Sequence, residues 1–206
     1  MKLNSQNDRL FPIVFAASAA ACGMALTFIF HRYTLLSNFD LVQADPYDSR
    51  FVASVLEHWF KVISGTDEWR SPPWFFPKKM TLGYSDALVG MAALYSVFRA
   101  FGADIFVSLN ATLVLLSFLS YISCLWLLRT VFVFCWPASV FGAAFFAFNY
   151  PKFAQLAHAQ LRFDALQPIV LGVLLSLLLT RETPSPLRTF ATFASSRMVP
   201  YQPTAK

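Results

Sequence analysis

Charge is scarce in this sequence. Of 206 residues, only 13% are Asp, Glu, Lys or Arg, while 57% are hydrophobic and the mean hydropathy is +0.53. Soluble domains carry roughly 25% charged residues, so a freely soluble globular domain is excluded and the membrane class comes first. Cysteine is also rare. Cys22, Cys124 and Cys135 are odd in number, have no metal-ligand spacing and sit in apolar runs. That excludes a disulfide framework and a zinc site, and predicts three small core residues. No Walker loop, dinucleotide fingerprint or nucleophile elbow is present, and no internal repeat. The formal charge of +5 comes from basic residues scattered between apolar runs. Without a Lys/Arg stripe it does not point to nucleic acid, and it reads as a topological signal.

What the chain does have is long apolar runs. Residues 10–30 are free of charge and, at about 1.5 Å per residue, cover a hydrocarbon core of about 30 Å. The run continues well past its Ala-rich stretch, which favours a retained anchor over a cleaved signal peptide. Further spans are predicted at 105–128, at 131–150 and, more marginally, at 165–180, with Trp136-Pro137 leaving the start of the third open. The fold class is therefore an all-α integral membrane protein of about four transmembrane helices. Residues 31–104 form a large first extracytoplasmic loop, 151–164 a second polar segment, and 181–206 a disordered cytoplasmic tail rich in Pro, Ser and Thr. Lys2 and Arg9 precede the first span, Arg129 lies in the turn between the second and third, and Arg181, Arg188, Arg197 and Lys206 follow the last. By the positive-inside rule that side, with residues 1–9, is cytoplasmic, and the location is the inner (plasma) membrane.

The first loop contains structure of its own. Asp45-Pro46 reads as an N-cap followed by proline in the first helical turn. Phe51, Val52, Val55, Leu56, Trp59, Phe60 and Ile63 then recur at helical spacing, Arg50, Glu57 and Lys61 project elsewhere, and Gly65 closes the segment. Such a helix lies along the membrane surface. A second helix is predicted over 88–101.

Few residues carry obvious chemistry. Asp45 and Asp48 stand at the start of the amphipathic helix, where free N–H groups favour negative charge and one cap is expected. Two carboxylates three apart, with Asp40 nearby, also suit a divalent cation such as Mg or Mn, or a general base. His58 falls on the apolar face beside Glu57, which is spaced to pair with Lys61. Gln155, His158 and Arg162 fall on one helical face, and polar side chains at membrane depth tend to face a cavity or a binding site. Asp86 follows Gly83-Tyr84-Ser85 and reads equally as a cap.

Taken in order, Asp45-Pro46-Tyr47-Asp48-Ser49-Arg50-Phe51, Leu56-Glu57-His58, Phe76-Pro77, Tyr84-Ser85-Asp86 and the Gln155–Gln160 run resemble the amino-terminal part of bacterial polytopic glycosyltransferases of the GT-C class. The resemblance covers roughly residues 40–175. It implies inverting sugar transfer from a polyprenyl-phosphate lipid to an acceptor hydroxyl on the extracytoplasmic face. Asp45 or Asp48 would be catalytic base or metal ligand. Glu57, His58, Asp86, Gln155 and His158 would line the pocket, and Arg99 or Arg162 would meet the lipid phosphate. Members of the class carry many more spans, so the resemblance also implies a truncated form, with activity in question. The alternative is a small non-catalytic scaffold or assembly partner of another membrane protein.

Overall fold

The computed structural model describes residues 5–43, 46–75, 77–84, 86–155 and 158–180. Among these the chain is all-helical, without strands. Its α-helices are α1 (Ser5–Phe30), α2 (Arg32–Leu36), α3 (Pro46–Ile63), α4 (Val89–Ala100), α5 (Ile105–Trp126), α6 (Trp136–Ala147), α7 (Tyr150–Ala154) and α8 (Gln167–Thr180). Among the described residues three helical stretches are long and apolar enough to cross a membrane: Ile13–Phe30, Ile105–Val131 and Ala159–Leu178. Ile13, Met24 and Phe28 of α1, Phe141 and Phe145 of α6, and Val170 and Leu174 of α8 all point outward. Large apolar side chains exposed on this scale suit a hydrocarbon solvent better than water.

The helix boundaries follow local chemistry. α3 begins at Pro46, as predicted, with Asp45 outside the described residues. It ends in a Schellman turn: Thr66 N–H bonds to Lys61 O at 2.9 Å, Gly65 N–H bonds to Val62 O at 3.0 Å, and Gly65 takes φ +73°. The helix predicted over 88–101 is α4. The Asp104 carboxylate accepts Phe106 N–H at 2.9 Å and caps α5, which continues through a π-helical turn, Leu127–Val131.

The span predicted at 131–150 takes another form. The main helix of that stretch is α6, 12 residues long and so about 18 Å, well short of a hydrocarbon core of about 30 Å. Pro137 lies in its first turn, and just beyond its end Asn149 instead caps α7, accepting Lys152 N–H at 3.0 Å. The cysteines also diverge from expectation. Cys124 is buried and Cys22 half-buried, but Cys135 is exposed because it stands in the N-cap of α6, outside the packed helix faces. The tail 181–206 lies outside the described residues.

α5 is the hub. Its first half packs Leu109, Leu113 and Leu116 against Val52 and Leu56 of α3, Met91 and Tyr95 of α4, and Ala159 and Ala165. Its second half packs Tyr121, Cys124 and Leu125 against Ala19 of α1 and Ala143 and Ala147 of α6. A polar layer at Ser117 and Ser120 separates the two clusters. Arg162 donates to Ser117 Oγ at 3.2 Å and to Lys152 O at 3.2 Å, with its guanidinium over the Phe30 ring. Ser120 donates to Asp164 at 2.6 Å, and Asp164 pairs with Lys152. Burying such groups is tolerable only because each finds partners.

Candidate functional site

Three residues singled out by the sequence meet at one place. Asp48 stands on the first turn of α3, Asp86 lies in the short segment before α4, and His158 immediately precedes the 3₁₀ segment Ala159–Leu166. With Phe51, Val52, Leu88 and Gln160 they line a small polar cavity of about 180 Å³. Asp48, Asp86, His158 and Gln160 are all exposed, so the cavity is open to solvent. Its depth comes from the α3–α4–α5 packing, in which Val52 is buried and Leu88 packs against the same cluster. Leu88 adopts φ 50°, ψ 26°, a left-handed conformation uncommon for a bulky residue. Strain of this kind persists where the surrounding structure imposes it, and here it turns the chain from Asp86 into α4.

Such a pocket offers two carboxylates, an imidazole and an amide to a small hydroxylated group. Asp48 and Asp86 accept hydrogen bonds only, and His158 can donate, accept or carry a proton. Among the described residues no three His, Cys, Asp or Glu side chains lie close enough to hold a metal ion, and Asp45, the partner expected for Asp48 in a cation site, lies outside those residues. The chemistry these residues can supply themselves is proton transfer to or from a bound hydroxyl.

The remaining predicted site residues lie elsewhere. Glu57 accepts from Tyr95 Oη at 2.8 Å, and from Arg99 through Nε at 2.8 Å and Nη2 at 3.0 Å, joining α3 to α4. Burial alone would raise its pKa, but the hydrogen bonds from Arg99 and Tyr95 outweigh that and hold the carboxyl below its ordinary range. The His58 side chain is fully buried, with Nδ1 donating to Asp67 at 3.1 Å and Nε2 lying 3.3 Å from Trp69 O. Glu57 and His58 line a second cleft, of about 280 Å³, together with Arg50 and Lys61. That cleft opens on the face of α3 away from Asp48.

Gln155, His158 and Arg162 do not share a helical face. α7 stops at Ala154, so the 3.6-residue spacing does not carry through, and the chain resumes as a 3₁₀ segment. Gln155 is exposed, its N–H donating to Pro151 O at 3.0 Å and its carbonyl accepting His158 N–H at 3.1 Å. Arg162 turns inward and is 2% exposed, serving the polar layer on α5. Sequence reasoning did not single out the other members of that layer. Ser117, Ser120 and Ser123 at intervals of three in an apolar run were the available signal, since hydroxyls so spaced mark one polar stripe on a helix.

An apolar groove adjoins this region. Gly90, Leu94, Leu116, Leu119, Trp126, Phe163 and Ile169 line about 550 Å³ between α4, α5 and α8. Compared with known proteins, the chain matches no family model, no curated protein and no solved structure.

Proposed function

We propose that the chain is a multi-pass membrane protein related to GT-C glycosyltransferases, in which Asp48 receives the proton of an acceptor hydroxyl during sugar transfer from a polyprenyl-phosphate donor. The single observation behind this reading is that Asp48, Asp86 and His158, from three separated stretches of chain, line one polar cavity. The reading places the chain in the inner membrane with its amino terminus cytoplasmic and the cavity on the outer side. In the reaction the acceptor oxygen attacks the anomeric carbon, the bond from that carbon to the phosphate oxygen breaks, and the configuration inverts. Asp48 takes the hydroxyl proton as the new bond forms, while Asp86 and His158 orient the acceptor's remaining hydroxyls.

The leaving phosphate needs a cation. Arg99 is committed to Glu57 and Arg162 to the α5 polar layer, so neither faces the cavity. That observation favours a second reading, a non-catalytic partner that binds the glycolipid and depends on another chain for the cation. The test measures radiolabelled sugar transferred from a polyprenyl-phosphate pool in membranes containing the chain or its Asp48→Asn variant. Transfer that drops by about a hundredfold or more in the variant supports the enzyme, the usual scale for losing a general base. No transfer by the wild type, with labelled donor still bound, supports the partner. Equal transfer by both sinks the assignment of Asp48.

A further inference from the structure

The polar cavity and the apolar groove share two walls. The segment before and into α4 supplies Asp86 and Leu88 to the cavity and Gly90 to the groove. The 3₁₀ segment supplies His158 and Gln160 to the cavity, then Phe163 to the groove. Where these walls meet, the Phe163 ring lies directly on Gly90. A Cβ at residue 90 would come within 2.2 Å of Phe163 Cζ, so glycine is required for this approach. Beyond the ring the groove follows α5 from Leu116 to Trp126, a length of about 15 Å, between stretches apolar enough to lie in a bilayer.

We infer that Phe163, seated on Gly90, is a positioning residue dividing one amphiphile site, with a hydroxylated, uncharged head in the Asp48–Asp86 cavity and a single apolar chain in the groove beyond. The chemistry selects that ligand. Two carboxylates accept hydroxyl donors and repel a phosphate placed among them, and about 180 Å³ suits one small head group. The groove presents almost nothing polar, so it holds a hydrocarbon chain and no second head. A flat ring at the junction fixes where head ends and chain begins. On the transferase reading this amphiphile is the acceptor, with its hydroxyl at Asp48 and the phosphate-linked donor approaching from outside the cavity. The choice of a sugar as head rests on that reading, whereas the division of the site does not.

The probe is octyl β-glucoside carrying a diazirine at the end of its chain, photolysed with the full chain in phosphatidylcholine vesicles and mapped by mass spectrometry. Labelling is expected at Leu119, Trp126 or Ile169, competed by excess octyl glucoside and not by dodecyl phosphate. Phe163→Ala should lower it about three- to tenfold, the worth of one aromatic contact, while Phe163→Tyr keeps both the labelling and the monodisperse elution of the wild type. Labelling confined to other faces, equal competition by dodecyl phosphate, or undiminished labelling of Phe163→Ala each overturns the inference. Groove labelling by a chain that transfers no sugar would leave this inference standing and remove the enzyme reading. Sugar transfer without groove labelling would do the reverse.

Discussion

Arg99 grips the Glu57 carboxylate at two points, from Nε to Oε2 at 2.8 Å and from Nη2 to Oε1 at 3.0 Å, across 42 residues of chain. Tyr95 completes the set, one turn earlier on α4. The arrangement needs a planar fork, which lysine lacks. Arg99→Lys should therefore destabilise the α3–α4 pair by about 1–2 kcal/mol and Arg99→Ala by about 2–3 kcal/mol, read as thermal unfolding in detergent. A lysine variant as stable as the wild type would show that the fork geometry contributes little.

The same pair carries a pH dependence. Because the folded Glu57 carboxyl titrates below its ordinary value of 4.5, its contribution is complete above that value and is lost as pH falls through the depressed one. Glu57→Gln should flatten the part of the stability profile below about pH 4.5. Thermal melts of both proteins between pH 7 and pH 3 measure the difference.

His31 supplies a second titration, with the window displaced upward. Its ring accepts from Gln43 at 2.7 Å and donates to Ser117 Oγ at 2.9 Å, just after the first apolar stretch ends. Burial, reinforced by the nearby Arg162 charge, pushes its pKa from 6.5 down to about 3. The unfolded chain therefore binds the proton more readily between those values, so stability is full above pH 6.5 and declines as pH falls toward 3. His31→Gln should remove that slope between pH 6.5 and 4.5 while Glu57→Gln leaves it, which separates the two groups.

Gly23 allows α1 to lie against α5. A Cβ there would come within 2.4 Å of the Tyr121 ring, whose hydroxyl donates to Ala19 O at 2.9 Å. Gly23→Ala should cost about 1–3 kcal/mol through overpacking, and adding Tyr121→Leu should recover part of that loss. Equal stability of wild type and Gly23→Ala would mean that the helices separate freely.

Asp164→Asn leaves the buried Lys152 ammonium without its carboxylate, and should lower stability by about 3–5 kcal/mol. The double variant Lys152→Met/Asp164→Asn should be far closer to the wild type, because no unpaired charge remains. A double variant as unstable as the single one would locate the loss in Ser120, which donates to Asp164.

The helical segments owe most to local sequence. Proline at 46, the apolar spacing from Phe51 to Ile63 and glycine at 65 delimit α3, because each acts within a turn of its own position. The charge-free runs marked α1, α5 and the last apolar stretch for the same reason, since length and composition alone decide whether a helix suits hydrocarbon. Asp48, Asp86 and His158 could be singled out as polar residues in an apolar chain.

That these three share a cavity was decided by tertiary packing, as was the separation of Glu57 and His58 onto another face of α3. Arg162 shows the reason. Extrapolated at helical spacing it joins Gln155 and His158, but the chain breaks after Ala154, and the break sends Arg162 toward Ser117 on a helix 45 residues away. Periodicity holds only while the backbone hydrogen bonds run unbroken. Gly90 is the counterpart: an unremarked glycine in sequence, its meaning appears only when the Phe163 ring is laid over it. Which segments are apolar and helical follows from local sequence alone, because those properties act over a few residues. Which polar side chains meet was left to the folding of α3, α4 and the 3₁₀ segment around α5, because contacts between distant residues exist only once those helices pack.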